Sequence, residues 1–162
     1  VGKIYGRVIS GAKPQIANKE MAKFADYVNE QTVMVSYEAG TTLSSLLLRM
    51  RGKTETGIRA MPNTNATIGQ SLIAYCTTAN VDENALDEVV SILQKAGDTF
   101  AISEDRMNAF TAVAGSGPAY AHHIFGSVSR SLQTHQDLSP KDADKLTLKV
   151  IHKVPMQNQT TT

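Results

Sequence analysis

Short segments rich in β-branched residues alternate along the chain with longer segments whose apolar residues recur every three or four positions. The short segments predict strands at 7–12, 32–36, 56–61, 72–78 and 99–102. Helical apolar spacing predicts helices over 16–29, 42–47 and 82–97. Strands and helices that alternate in this way pack in layers, so this part of the chain predicts an α/β fold with a largely parallel sheet.

Residues suited to helix ends flank these segments. Asp82 suits the N-cap of the third helix because its side chain can accept a hydrogen bond from a free backbone N–H. Thr41 or Thr42 occupies the same position before Leu43. Gly97 is expected to end the third helix in the left-handed conformation that glycine tolerates best.

Strand patterns stop after Ser103. The remaining sequence predicts helices over 104–113, 118–134 and 140–153. Ser139 and Pro140 suit the N-cap and first turn of the last helix. We therefore expect a domain boundary near Ser103, with a partial α/β domain over 1–103 and a partial all-helical domain over 104–162.

Composition and charge exclude several classes of partner. The 162 residues carry 16 basic and 15 acidic side chains, a formal net charge of +1, so no global field attracts nucleic acid or an anionic membrane. No apolar run approaches the roughly 18 residues of a membrane span. The single cysteine, Cys76, excludes an intramolecular disulfide and fits a reducing compartment, so the cytoplasm is the expected location.

The four histidines do not predict a metal site. His122 and His123 are adjacent, and adjacent helical residues point about 100° apart, unlike a chelating pair spaced by four positions. His135 and His152 have no acidic or cysteine partner at ligand spacing. We therefore expect no bound metal.

Two loops that follow predicted strands are candidates for ligand binding, because open α/β sheets bind ligands beyond the carboxyl ends of their strands. Lys13 brings a positive charge suited to a phosphate or a carboxylate. Asn63, which follows Met61 and Pro62, has an amide that can both donate and accept hydrogen bonds. A solvated lysine and an ordinary turn of proline and asparagine are the alternatives left open by these residues.

Residues 114–120, Ala-Gly-Ser-Gly-Pro-Ala-Tyr, form the most unusual local sequence in the chain. Gly115 and Gly117 free the backbone just before Pro118, which suits the first turn of a helix, and amides at that helix start could hold a carboxylate. A tight, well-capped helix connection is the alternative. The run is not a dinucleotide-binding fingerprint, since Tyr120 stands where a third glycine is needed.

Four segments, taken in order, resemble the successive motifs of the pyrroline-5-carboxylate reductase family. They are Ala-Lys-Pro-Gln at 12–15, Val-Ser at 35–36 with Ala-Gly-Thr-Thr-Leu-Ser-Ser at 39–45, Ile-Arg-Ala-Met-Pro-Asn-Thr at 58–64, and Gly-Ser-Gly-Pro-Ala-Tyr at 115–120. Four ordered motifs at family-like spacing are far more specific than any one of them. The resemblance covers 8–150, which corresponds to the central part of a family member.

The resemblance implies a partial Rossmann-like, nicotinamide-binding domain followed by a helical domain through which subunits dimerise. It implies an oxidoreductase of proline biosynthesis, in which NADPH or NADH passes a hydride to the imine carbon of pyrroline-5-carboxylate and gives proline. The residues that it implies for the cofactor are Ala12, Lys13, Pro14, Ala39, Met61, Pro62 and Asn63. The residues that it implies for the substrate pocket are Gly115, Ser116, Gly117 and Pro118. It assigns no catalytic residue.

The sequence also departs from the family pattern. The glycine-rich turn that seats the cofactor pyrophosphate would precede Val8, and a Ser-Pro-Gly-Gly-Thr-like substrate loop would follow Val150; this sequence contains neither. Binding of NADP(H) or NAD(H) is therefore expected to be weakened. Glu38 stands where the family usually has a small neutral residue, and its carboxylate would repel a phosphate unless it points away.

Three hypotheses follow from these features. The chain is an active reductase or a portion of one; or it is a catalytically inactive, truncated reductase-like protein that acts at most by self-association through its helical section. The third hypothesis is a related dehydrogenase that acts on a different substrate. The Gly-Ser-Gly-Pro-Ala-Tyr run favours the proline enzyme over this third hypothesis.

Overall fold

The computed structural model describes residues 6–12 and 14–152 and divides into two compact units, Val1–Ser116 and Gly117–Thr162. The strands, all in the first unit, are β1 Arg7–Ser10, β2 Val33–Ser36, β3 Gly57–Met61, β4 Ser71–Thr77 and β5 Gly97–Ala101. The helices of the first unit are α1 Pro14–Ala22, α2 Leu43–Leu48, α3 Glu83–Gln94 and α4 Met107–Phe110. Those of the second unit are α5 Gly117–Gln136 and α6 Pro140–His152.

The five strands form one sheet in their chain order, β1 to β5. All neighbouring strands are parallel except β3 and β4, which pair antiparallel. In the register of the sheet Ser10 lies beside Ser36, and Ser36 beside Arg59, so the carboxyl ends of β1, β2 and β3 meet at one edge. The five predicted strands and the largely parallel sheet are confirmed.

Apolar side chains cover both faces of the sheet. Because successive residues of a strand point to opposite faces, Val33 and Val35 pack with α3, whereas Met34 between them packs with α1 and α2. A third cluster packs α4 against β4 and contains Leu43, Ala74, Cys76 and Met107. The sheet therefore has helices on both faces, the layered arrangement that alternating strands and helices predict.

The residues predicted to cap the N-termini of three helices are confirmed. Thr42 and Asp82 each accept a hydrogen bond at 3.1 Å from the backbone N–H three residues later, at the starts of α2 and α3. Ser139 does the same at 3.2 Å before α6. Each bond satisfies one of the backbone donors that the first turn of a helix leaves free.

The helix predicted over 16–29 is wrong in its length. α1 ends at Ala22, and a separate 3-10 turn follows at Ala25–Tyr27. Backbone hydrogen bonds between residues three apart, at 3.0 and 3.2 Å, tighten the chain just after α1. Met21 and Val28 are nevertheless both buried. The apolar spacing is thus satisfied by two short elements instead of one long helix.

Gly97 does not end α3 as predicted. The C-cap of α3 is Lys95, and Gly97 is the first residue of β5, with a φ of 152°. A Cβ built on Gly97 would lie 2.0 Å from the carbonyl oxygen of Ser71, its neighbour on β4. Glycine is required here because two strands approach closely, a tertiary reason that a helix pattern does not contain.

The helical stretch predicted over 104–113 is present but combines three kinds of helix. A 3-10 turn at Glu104–Arg106, α4, and a π-helical turn at Thr111–Gly115 follow one another directly. The last strand thus ends close to the predicted boundary at Ser103, whereas the two compact units divide after Ser116. The assignment of 1–103 and 104–162 as separate domains stays a prediction.

The described part of the second unit, up to His152, is a pair of helices, α5 and α6, with few buried residues. Ser129 on α5 and Thr147 on α6 are buried, and the Ser129 hydroxyl donates to a carboxylate oxygen of Asp144 at 2.6 Å. Several large apolar side chains of this unit are exposed: Tyr120, Ile124, Leu146, Leu148 and Val150. A two-helix unit of this kind buries little apolar surface of its own.

Candidate functional site

The predicted cofactor residues of the first unit gather at the carboxyl edge of the three parallel strands. Ala12 follows β1, Ala39 follows β2, and Met61 ends β3. Ala39 is exposed, and Ala12 and Met61 are half-buried. Parallel pairing therefore brings three segments that are far apart in sequence to one edge of the sheet, the usual ligand-binding edge of such folds.

Two of the predicted residues follow β1 immediately. Pro14 is the first residue of α1, a position at which its missing N–H costs nothing. Lys13 lies outside the described residues. The roles of both in cofactor binding stay predictions.

The loop between β2 and α2 presents its tip to solvent and buries its flanks. Ala39 and Gly40 are exposed, and Gly40 has a φ of 74°, in the left-handed region that glycine adopts without strain. Glu38 and Thr41 on either side are buried, at 2% and 6% exposed. The loop is therefore fixed at its base while its tip is open to solvent.

Glu38 points into the protein and not toward solvent. Its carboxylate accepts hydrogen bonds from Ser10 Oγ at 2.5 Å, from Thr41 Oγ1 at 3.1 Å and from Arg49 Nη1 at 2.6 Å. The side chain of Glu38 is fully buried and that of Arg49 is 13% exposed. The sequence raised the possibility that the Glu38 carboxylate repels a phosphate of the cofactor. In the structure the carboxylate points away from solvent and is paired with the Arg49 guanidinium, so this repulsion is avoided.

A second carboxylate holds the other end of the same loop. Glu104 Oε1 accepts a hydrogen bond from the backbone N–H of Leu43 at 2.7 Å, at the first residue of α2. The same oxygen lies 3.4 Å from Nη1 of Arg59, a β3 residue that is 3% exposed. Arg59 Nη2 is 3.5 Å from Asn108 Oδ1, and Arg59 Nε has no partner among the described residues. These long contacts mark a loosely paired buried guanidinium.

Asn63 joins two of the predicted site segments. Its side-chain Nδ2 donates to the backbone carbonyl of Ala114 at 2.8 Å, and its Oδ1 accepts from Asn65 N at 3.0 Å and from Ser71 Oγ at 3.1 Å. The orientation of the amide follows from these partners, because a backbone N–H only donates and a carbonyl only accepts. The amide is therefore engaged within the protein, and the loop after β3 is tied to the residue just before Gly115.

Local sequence explains why the Ala114 carbonyl is available to Asn63. In a continuous α-helix this oxygen would accept from the N–H four residues later, but that residue is Pro118, which has no N–H. The backbone just before it makes a π-helical turn, closed by a bond of 3.0 Å from Ser116 N to Thr111 O. A turn of this type is frequent at functional sites.

The four residues predicted for the substrate pocket fall on both sides of the division between the compact units. Gly115 and Ser116 end the π-helical region of the first unit, and Gly117 and Pro118 begin α5 in the second. A Cβ on Gly115 would lie 3.2 Å from Thr111 Cγ2, a tight contact, whereas one on Gly117 would meet no atom within 4 Å. Their role in substrate binding stays a prediction.

Cys76 is buried, whereas the adjacent pair His122 and His123 is exposed. Burial first, and then the Glu104 carboxylate, raise the pKa of the Cys76 thiol to about 11, with the Arg59 guanidinium opposing them. His122 and His123 are exposed on α5. Within residues 6–12 and 14–152, no three His, Cys, Asp or Glu side chains are grouped as metal ligands would be, and no helix there is both long and apolar enough to cross a membrane.

Sequence reasoning missed the residues that support this edge. It singled out Glu38 but not its partners Ser10 and Arg49, and it did not identify Glu104 or the link from Asn63 to Ala114. Glu38 is 28 residues from Ser10 and 11 from Arg49, so no local motif connects them. One signal was present in the sequence: Pro118 has no N–H, so the carbonyl of Ala114, four residues earlier, lacks its usual helical donor.

Known proteins with similar sequences carry the same family name as the motif resemblance. A pyrroline-5-carboxylate reductase of Staphylococcus haemolyticus is 30% identical over 118 residues, which are 73% of this chain and 43% of that protein. No protein-family model matches the chain. The resemblance of the four ordered motifs is confirmed by this overall similarity.

Solved structures agree. A pyrroline-5-carboxylate reductase of Streptococcus pyogenes superimposes with a TM-score of 0.79 at 26% identity, covering 94% of this chain and 59% of that one. The Plasmodium falciparum enzyme, solved with NADP bound, gives a TM-score of 0.82 at 24% identity over 91% of this chain and 55% of its own. The chain spans about half the length of these relatives. The Rossmann-like architecture with a following helical section is confirmed.

Proposed function

Since this chain is related to the pyrroline-5-carboxylate reductases over most of its own length, we propose that it is part of an oxidoreductase that uses NAD(P)H to reduce pyrroline-5-carboxylate to proline. The observation that carries this proposal is the hydrogen bond from Asn63 to the Ala114 carbonyl. This bond joins the loop at 61–63, predicted to contact the cofactor, to the 114–120 segment, predicted to contact the substrate. A reductase must hold its cofactor beside its substrate, so these two segments are expected to lie close together.

The proposed reaction adds a hydride to the imine carbon of the pyrroline ring and a proton to the ring nitrogen. The nicotinamide supplies the hydride when it is bound, so the task of the protein is to hold the two rings together and exclude water. On this proposal the exposed tip at Ala39 and Gly40 and the half-buried segment at Met61 and Pro62 line the cofactor. Gly115 to Pro118 shape the pocket for the substrate.

We place this reaction in the cytoplasm and favour NADPH as the hydride donor, with NADH as the alternative. The single cysteine, buried on β4, fits a reducing compartment. The preference for NADPH rests on the family resemblance. Competition between the two reduced cofactors in the binding assay below tests it.

A blocked-site variant tests the proposal directly. NADPH fluorescence is titrated with the purified 162-residue chain, and NADPH oxidation is followed with pyrroline-5-carboxylate present. Ala39→Trp should abolish both signals, because a bulky side chain at the tip of the loop between β2 and α2 would fill the space beyond the carboxyl edge of β1, β2 and β3. Ala79→Trp is the matched control: Ala79 is an exposed turn residue after β4, whose antiparallel direction places it at the opposite edge.

The expected result is NADPH binding by the unchanged chain and by Ala79→Trp, with loss in Ala39→Trp. Absence of binding and turnover in the unchanged chain would refute the reductase proposal for this chain. Equal binding by the two tryptophan variants would place the cofactor elsewhere.

A second candidate function is self-association through the helical unit, with or without catalysis. Tyr120 and Ile124 lie four residues apart on α5, hence on one face, and are 57% and 60% exposed. Large exposed apolar side chains on a unit with few buried residues favour burial against a second copy of the chain. Sedimentation velocity should show a dimer that Ile124→Asp dissociates. His122→Asp should leave it intact, because His122 is exposed on the opposite side of the same helix. A dilute monomer of the unchanged chain would refute it.

A further inference from the structure

Glu38 is a buried acidic residue that is held by several neighbouring side chains. Its buried carboxylate receives three side-chain donors, from Ser10 at the end of β1, from Thr41 in the loop, and from Arg49 after α2. Its backbone N–H in addition donates to Ser36 Oγ at 3.1 Å. One residue therefore bonds to the ends of two neighbouring strands, to the loop, and to the end of the following helix.

The cost of burying such a group indicates that it has a specific role. Removing a carboxylate and a guanidinium from water is expensive, and apolar residues of similar size usually stabilise a fold equally well. A buried ion pair therefore contributes little net stability, while its directional bonds fix the geometry of the groups that it joins. Here the joined groups are the bases of the two loops that contain Ala12 and Ala39.

We propose that Glu38 is a positioning residue, which orders the 37–42 loop against the end of β1. The carboxyl edge of β1, β2 and β3, where the cofactor is proposed to bind, is then already formed before binding. This inference rests on the proposed function for its consequence in cofactor binding. The loop tip at Ala39 and Gly40 is exposed, so its position depends on the buried flanks at Glu38 and Thr41. A preformed loop binds its ligand more tightly because less conformational freedom is lost on binding.

Removal of both charges separates positioning from stability. In Glu38→Met with Arg49→Met, no unpaired charge is left in the interior and the buried volumes are nearly kept, so the melting temperature should stay close to that of the unchanged chain. Hydrogen exchange of the peptide covering 37–43 should become about tenfold faster, and the Kd for NADPH should rise about tenfold, the size of effect that loss of a supporting shell typically has. Glu55→Gln, at an exposed position, is the matched control and should change neither.

Ser10→Ala is the second variant, which keeps the ion pair and removes only the link to β1. It keeps the protein folded even if the double variant does not fold, and it should accelerate exchange in the same peptide while exchange elsewhere is unchanged. Unaltered exchange of 37–43 in both folded variants, or in Ser10→Ala alone if the double variant is unfolded, would overturn the inference.

The two proposals fail in different ways. If the unchanged chain does not bind NADPH, the proposed function fails, and the exchange measurement still decides whether Glu38 orders the loop. If the unchanged chain binds NADPH, and the double variant exchanges faster but binds NADPH equally well, Glu38 orders a loop that the cofactor does not need, and the positioning role is wrong.

Discussion

Replacement of Asn63 by aspartate changes the side chain by one atom and removes its donor. The two acceptor bonds to Asn65 N and Ser71 Oγ are retained, because a carboxylate oxygen accepts them equally well. The bond to the Ala114 carbonyl becomes a contact between two acceptors. The substitution therefore tests the link between the two predicted site segments with minimal change in volume.

The expected loss of stability follows from that one bond. A lost hydrogen bond costs about 1 kcal/mol, and a carbonyl left without its donor costs about 1–3 kcal/mol more when buried. Asn63 and Ala114 are only half-buried, so water partly replaces the donor and a total of about 2 kcal/mol is expected. At about 2–4 °C for each kcal/mol in a domain of this size, Asn63→Asp should lower the melting temperature by about 4–8 °C.

Thermal unfolding followed by circular dichroism measures this difference, with Asn65→Asp as the matched control. Asn65 lies in the same loop, and the bonds described for it involve only its backbone. The control should melt within about 2 °C of the unchanged chain, because no hydrogen bond described for the Asn65 side chain is lost. Equal melting temperatures for the two aspartate variants would refute the role of the Asn63 amide.

Two further predictions concern residues outside the site. Gly97→Ala should destabilise the chain by more than about 3 kcal/mol or prevent folding. The reasons are that the new Cβ would lie 2.0 Å from the Ser71 carbonyl oxygen and that a φ of 152° is strained for alanine. A urea unfolding midpoint close to that of the unchanged chain would contradict the close approach of β4 and β5. Iodoacetamide should label Cys76 at pH 8.5 about 75-fold more slowly in the folded chain than in urea, because raising the pKa from 9.0 to about 11 removes most of the thiolate that reacts. Comparable rates in both states would contradict the burial of the thiol.

Local chemistry made several elements predictable. The β-branched segments became strands, and Thr42, Asp82 and Ser139 became caps, because a strand face and a helix start depend on residues within a few positions. The helix over 16–29 was less predictable, because the same apolar spacing fits one long helix or a helix followed by a short turn.

Glu38 shows the limit of sequence reasoning at the site. Its position in a motif raised the possibility of repulsion with a phosphate, but the direction of its side chain depends on Ser10 and Arg49, which reach it only through the sheet and α2. Gly97 is similar, since its requirement for glycine comes from a neighbouring strand. Long-range contacts of this kind have no local signal.

The sequence by itself determined the family resemblance, the α/β order of elements and the identity of the segments that follow β1, β2 and β3, because motifs, apolar periodicity and capping residues are local properties of a chain. The tertiary structure alone decided that Glu38 points inward to a guanidinium and that the Asn63 amide bonds to the Ala114 carbonyl. Both depend on strand pairing and helix packing, which bring together polar groups of residues that are up to 51 positions apart.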